Sequence, residues 1–206
     1  PEKLQKKSKI IYNAVKEDFY QIERTPVRGE IVTCGRLVEQ KNHALLIDAF
    51  SEVVKKYPFV TLKIYGEGAL REKLQHQIND LGLEKKAFLM GATSDVEKVL
   101  QTADLFILSS DYEGMPNALM EAMAAGVPCI STDCPCGGPR ELLGDDSNLL
   151  IPVGNKLGLE DKILDFFENQ TVLEECGKEL KKIAKIFTPE VIEKKWIEYV
   201  NEIVIG

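Results

Sequence analysis

Residues 30–57 read EIVTCGRLVEQKNHALLIDAFSEVVKKY, and this stretch decides the fold. Glu30–Cys34 is short, rich in β-branched residues and ends at Gly35, as a strand running into a turn does. From Lys41 to Tyr57 the apolar residues Leu45, Leu46, Ala49, Phe50, Val53 and Val54 fall at helical spacing. A strand followed directly by a helix is half of a βαβ unit, and the same alternation recurs along the chain. Further strands are predicted at Val60–Tyr65, Ala87–Met90, Asp104–Ser109, Val127–Ser131 and Asn148–Val153. Helices are predicted at Leu70–Leu81, from Asp95 to Leu100 with Ser94 as N-cap, at Pro116–Ala125 with Gly126 just past its end, and at Leu157–Asn169, Val172–Phe187 and Pro189–Val204. Asp104–Ser109 is almost wholly apolar, which suits a strand covered on both faces. Right-handed crossovers then give an α/β domain with a doubly wound parallel sheet, Rossmann-like, with extra C-terminal helices. Ligands of such sheets bind at the carboxyl ends of the strands.

Composition narrows the function. The chain has 206 residues, of which 44% are hydrophobic and 29% charged, with a net charge of −7. That excludes a disordered tail and a disulfide miniprotein, and it argues against a nucleic-acid partner. No run approaches the roughly 20 apolar residues of a membrane-spanning helix, so no direct membrane insertion is expected. Residues 1–20 carry Lys3, Lys6, Lys7, Lys9 and Lys16 without an apolar segment and cleavage site, so a signal peptide is not expected and a cytoplasmic location is. Five cysteines (Cys34, Cys129, Cys134, Cys136 and Cys176) read as free thiols. Cys134 and Cys136 lack a second ligand pair, and His43 and His76 stand at no ligand spacing, so no metal site is expected.

Three strand ends hold the polar groups. After the first strand come Gly35, Arg36 and Lys41. Gly35 lets the chain turn, Arg36 offers a planar fork, and Lys41 is placed at the start of the next helix, where the dipole favours an anion. Taken alone this suits two surface cations beside a turn, or a diphosphate site. After the Asp104–Ser109 strand, Glu113 and Gly114 precede a helix whose free N–H groups near Met115–Ala118 can hold an anionic oxygen or a hydroxyl. Glu121 lies within that helix among small apolar residues. A carboxylate there needs a partner, either vicinal hydroxyls of a ligand or a salt bridge. After the next strand, Gly137-Gly138-Pro139-Arg140-Glu141 makes a tight turn into a helix.

Arg36 with Lys41, the Glu-x7-Glu of Glu113 and Glu121, and Gly137-Gly138-Pro139-Arg140-Glu141 resemble, in order and spacing, the nucleotide-sugar-binding half of retaining glycosyltransferases of the GT-B fold, often called group 1 or family 4. The similarity runs from about Lys9 to Val204. Its flavour, GRLVEQKNHALLIDAF and DCPCGGPREL, is similar to bacterial enzymes that build surface or lipid-linked glycans. The resemblance implies that Arg36 and Lys41 bind and stabilise the departing diphosphate and that Glu113 lies beside the donor sugar. It implies that Glu121 accepts the ribose hydroxyls. Backbone N–H groups of Gly114, Met115, Asn117 and Ala118 would hold sugar and phosphate. Gly35 would make the close turn, and main-chain groups near Met90 and Gly91 would meet the base. No metal or cofactor is implied; the nucleotide sugar is a substrate.

Family members pair this half with an N-terminal acceptor-binding domain. Ile10–Phe19 (IIYNAVKEDF) is similar to the family's interdomain segment, with Ala14 where Gly is usual. The resemblance therefore implies a linker and lead-in over residues 1–28 and the donor-binding domain over 29–206, with the chain starting at the linker. The N-terminal half of the same full-length chain would be its partner and its route to peripheral contact with the inner membrane face. The last helix, around Trp196, resembles the one that packs back on that half. By itself this domain is expected to be inactive. Two other readings compete. A dinucleotide-binding oxidoreductase domain would have the same fold, but G-x-G-x-x-G is missing after the first strand and Gly66-Glu67-Gly68 follows the second. A non-catalytic interaction module would keep the fold without the chemistry.

Overall fold

Ile31, Val32 and Thr33 are covered on both faces, and so strand β1 (Glu30–Cys34) sits at the centre of the sheet. The computed structural model describes residues 9–144 and 148–205; the first eight residues of the lead-in lie outside them. The remaining strands are β2 (Thr61–Tyr65), β3 (Ala87–Gly91), β4 (Leu105–Leu108), β5 (Cys129–Asp133) and β6 (Leu150–Pro152). They form one sheet in the order β3-β2-β1-β4-β5-β6, and every pairing is parallel. The order reverses between β1 and β4. The crevice above their carboxyl ends is the switch point at which such sheets take their ligands.

Helices α1 (Glu17–Tyr20), α2 (His43–Lys56), α3 (Arg71–Asp80), α4 (Val96–Thr102), α5 (Asn117–Ala125), α6 (Gly138–Leu143), α7 (Lys156–Glu168), α8 (Gln170–Ala184) and α9 (Pro189–Ile205) complete the order. Two apolar layers flank the sheet. One packs α2, α3 and α7 through Leu46, Phe50, Leu74, Ile78, Ile163 and Phe166. The other packs α1, α4, α5, α6 and α8 through Phe19, Leu100, Met120, Met123, Leu142 and Leu180. Each helix buries one face because its apolar residues recur every three to four positions. Among the described residues no helix is long and apolar enough to cross a membrane.

Several boundaries differ from those the sequence predicts. Lys41 does not open a helix: it ends a 3-10 turn (Glu39–Lys41), and α2 begins at His43. Asn42 is the cap, in the left-handed region at φ 42°, with its side-chain oxygen accepting from the Leu45 N–H. Asp95, not Ser94, precedes α4 and its side chain does not cap it. Pro116 stands before α5 as its N-cap, whereas Gly126 ends the helix at φ 76° as expected. Strand β5 starts two residues later than Val127. The predicted Val172–Phe187 helix is α8 plus a 3-10 turn, Lys185–Phe187. The lead-in contains α1, whose Phe19 and neighbouring Val15 enter the core.

Candidate functional site

The two loops at the switch point are fastened to each other. Lys41 Nζ lies 2.5 Å from Glu113 Oε1. Both side chains are largely buried, and Ser110 Oγ donates to the same oxygen at 2.7 Å. Around this pair, Asn42 Nδ2 donates to Asp111 Oδ1 (2.7 Å) and Gln40 Nε2 to the Tyr112 carbonyl (2.9 Å). The Asp111 N–H donates to the Gln40 carbonyl (2.8 Å), and Ser109 Oγ to the Lys41 carbonyl (3.0 Å). Strand β5 supports the assembly from the far side, where Thr132 Oγ1 donates to the Ser110 carbonyl at 2.5 Å.

Arg36 stands apart from this network. It is exposed, and its guanidinium has no ion-pair partner among the described residues. It lines a cleft of about 360 Å³ with Cys34, Gly35, Tyr65, Gly66, Glu67 and Thr93. The loops after β1 and β2 interlock at its floor. A Cβ on Gly66 would meet the Gly35 carbonyl oxygen at 1.9 Å, and one on Gly68 would meet that of Leu37 at 2.4 Å. The Gly35 N–H donates to the Tyr65 carbonyl and the Leu37 N–H to that of Glu67, each at 2.9 Å. Beneath this turn His43 is buried, with Nε2 3.3 Å from the Arg36 carbonyl and Nδ1 without a partner. Burial lowers its pKa to about 4, so the ring is neutral at physiological pH.

Glu121 faces the same region from α5. It is half-buried and has no hydrogen-bond or salt-bridge partner among the described residues. Burial raises its pKa, Glu97 adding to the effect and Lys16 opposing it. Its charge also adds to burial in pushing the Cys34 thiol up to about 12. Of the two alternatives for this carboxylate, the salt bridge is not formed.

The N-terminus of α5 is open. No acceptor among the described residues takes the N–H of Gly114, Met115, Asn117 or Ala118; the first backbone donor engaged is Leu119, to the Pro116 carbonyl. Gly114 and Met115 line a second hollow of about 360 Å³ with Tyr12, Asn13, Cys136 and Gly138. A Cβ on Gly138 would stand 1.7 Å from the Gly114 carbonyl oxygen. That contact explains Gly138, where α6 starts against the backbone of the 114 loop, while Gly137 before it adopts φ 82°. Arg140 pairs with Asp133, and Glu141 accepts from the Tyr12 hydroxyl.

The structure thus gathers Gly35, Arg36, Lys41, Glu113, Gly114, Met115, Asn117, Ala118 and Glu121 along one edge. Met90 and Gly91 sit at its margin. The Met90 side chain is exposed, the Gly91 carbonyl accepts from the Gly66 N–H at 2.9 Å, and Ala92 and Thr93 line the cleft. Sequence reasoning missed Gln40, Asn42, His43, Ser110, Asp111 and Thr132. A polar Ser109-Ser110-Asp111 closing an apolar run was the available signal.

Fold and site together define one half of a glycosyltransferase of the GT-B architecture. More narrowly, the chain belongs to the glycosyl transferases group 1 family, whose profile matches residues 16–183. It is 34% identical over 193 residues to the poly(ribitol-phosphate) alpha-N-acetylglucosaminyltransferase of Staphylococcus aureus, covering 93% of this chain and 38% of that one. It is 37% identical over 157 residues to an uncharacterized glycosyltransferase, MJ1059, of Methanocaldococcus jannaschii, covering 71% of this chain and 38% of that one. A crystal structure of a mutant of TarM from S. aureus, in complex with fondaparinux, alpha-GlcNAc-glycerol and UDP, superposes with a TM-score of 0.81 at 29% identity, covering 95% of this chain and 41% of that one. The HepE structure from Anabaena, at 22% identity and a TM-score of 0.84, shares the fold. The chain spans less than half the length of these first two curated relatives. Family membership replaces the dinucleotide-binding oxidoreductase reading.

Proposed function

We propose that this chain is the donor-binding domain of a retaining glycosyltransferase that moves a hexosyl group from a nucleoside-diphosphate sugar to an acceptor hydroxyl in surface or lipid-linked glycan synthesis. The observation that carries the reading is the union, at the switch point, of the free Arg36 guanidinium, the Lys41–Glu113 pair and the unpartnered N–H groups at the start of α5. These are the groups a departing diphosphate needs: charge and oriented dipoles that are in place before negative charge develops. Lys41 has three donor hydrogens and gives one to Glu113, which leaves others for phosphate oxygens. Glu113, held by Lys41 and Ser110, retains acceptor capacity for sugar hydroxyls. Glu121 offers its unpartnered carboxylate to the ribose diol.

In this reading the cations and the helix dipole neutralise the leaving group, so no metal or cofactor is required. The acceptor site belongs to an N-terminal half of the full-length chain. Location in the cytoplasm, with peripheral contact at the inner membrane face through that half, belongs to the same proposal. The TarM structure holds UDP, and uridine is accordingly the base expected here. Calorimetric titration with UDP, GDP and ADP tests the reading. UDP should bind with no sugar transfer by the domain alone. Absence of binding by all three at millimolar concentration would overturn the site.

A further inference from the structure

The lead-in crosses the donor edge and is bonded to it at two points. Asn13 Nδ2 donates to Asn117 Oδ1 at 3.2 Å, and the Tyr12 hydroxyl donates to Glu141 Oε1 at 2.5 Å. Asn117 is the first residue of α5, and Glu141 lies in α6. Between these two points lies the close contact of Gly138 with the Gly114 carbonyl. Behind them the lead-in is anchored: Val15 and Phe19 are buried against α5, the Val15 N–H donates to the Phe187 carbonyl at 2.9 Å, and the Tyr12 ring meets that of Phe187 edge-on. The helix end with free N–H groups is thus held between a core contact and the Asn13 tether, while the Tyr12 tether holds the neighbouring α6.

We propose that Asn13 is a positioning residue of the donor site, acting through Asn117, and that it couples nucleotide binding to the order of the lead-in. This rests on the donor-site reading above. The Asn13 amide engages the Asn117 oxygen, and the Asn117 and Ala118 N–H groups beside it have no acceptor among the described residues and are open to an anion. Because coupling between two sites is reciprocal, whatever the tether contributes to nucleotide affinity, bound nucleotide returns as order in residues 12–15.

UDP is the probe. For Asn13→Ala, calorimetry should give affinity weaker by about three- to tenfold, the scale of one neutral hydrogen bond. The double variant with Asn117→Ala should bind no more weakly than Asn117→Ala alone, since the effect passes through that side chain. Asn13→Asp, which sets a carboxylate beside the helix end without altering the core contacts, should weaken UDP more than Asn13→Ala. In hydrogen exchange, UDP should slow the amides of residues 12–15 in the wild type and leave them unchanged in Asn13→Ala, a difference that a purely structural role would not produce. Wild-type affinity in Asn13→Ala, additive loss in the double variant, or no protection of residues 12–15 on UDP binding would each overturn the coupling while leaving the donor site intact. Failure of the wild type to bind UDP, GDP or ADP would overturn both.

Discussion

Lys41 and Glu113, 72 residues apart in the chain, meet at 2.5 Å across the point where the strand order reverses. The pair joins the loop after β1 to the loop after β4, while its neighbour Arg36 remains exposed and without an ion-pair partner. The two cations of the site therefore differ in their protein partners.

Arg36→Ala and Lys41→Ala should separate on that basis. Each should weaken UDP binding by about 1.5–3 kcal/mol, the worth of a charged hydrogen bond. Arg36→Ala should leave stability within about 0.5 kcal/mol of wild type, as at other surface positions. Lys41→Ala leaves the buried Glu113 carboxylate with Ser110 alone and should destabilise the fold by about 1–3 kcal/mol. Urea unfolding beside calorimetry measures both; equal stability of the two variants would contradict the geometry.

Glu121→Ala should cost affinity and not stability. A half-buried carboxylate without a protein partner contributes nothing that folding needs, so the variant should unfold at or above the wild-type urea midpoint. UDP should bind roughly tenfold more weakly, and the preference for UDP over 2′-deoxy-UDP should shrink, if the carboxylate accepts the ribose diol as proposed. Unchanged nucleotide affinity would favour the non-catalytic interaction module.

Gly138→Ala tests the contact between the two turns. A methyl group placed 1.7 Å from the Gly114 carbonyl forces the loop to move, with an expected loss of about 1–3 kcal/mol in stability and a parallel loss of UDP affinity. Gly114→Ala, where an added Cβ meets nothing within 4 Å, should leave the unfolding midpoint nearly unchanged.

His43 should set part of the acid response. Its pKa falls from 6.5 to about 4 on folding because the ring is buried. Between those values the unfolded chain binds a proton that the folded chain does not, so stability rises with pH across this window and is lost as pH falls from 6.5 towards 4. The full effect is about 3 kcal/mol. Burial raises Asp104 and Glu121, which act in the opposite sense. The difference between wild type and His43→Gln therefore isolates the histidine. Parallel pH profiles for the two proteins would rule this out.

The sheet was legible because apolar runs such as Asp104–Ser109 have one physical solution in a two-layered fold, and the strand-end glycines marked where each turned. The core of the site was legible for the same reason: once Arg36 and Glu113 follow adjacent central strands, parallel pairing brings them to one edge. The start of α2 was misread at Lys41, because a 3-10 turn has no sequence period of its own and Asn42 caps from an unusual left-handed conformation. His43 stands at no ligand spacing, and its burial beneath the Arg36 turn leaves no mark in the sequence. The Tyr12–Glu141 and Asn13–Asn117 bonds join residues 129 and 104 positions apart. Bonds at that separation leave no local pattern, and only the folded chain reveals them.

The fastening of the loops after β1 and β4 also dictates when the site comes into being. Its two sides belong to different βαβ halves, and closing a loop of some 70 residues is entropically expensive until both halves have condensed. A chain with only its first three strands paired carries Arg36 and Lys41 but has nothing opposite them. Nucleotide binding during refolding should therefore lag behind the recovery of helical signal, because it requires the loops after β1 and β4 to have met. The site in this sense reports a join between the two halves of the fold.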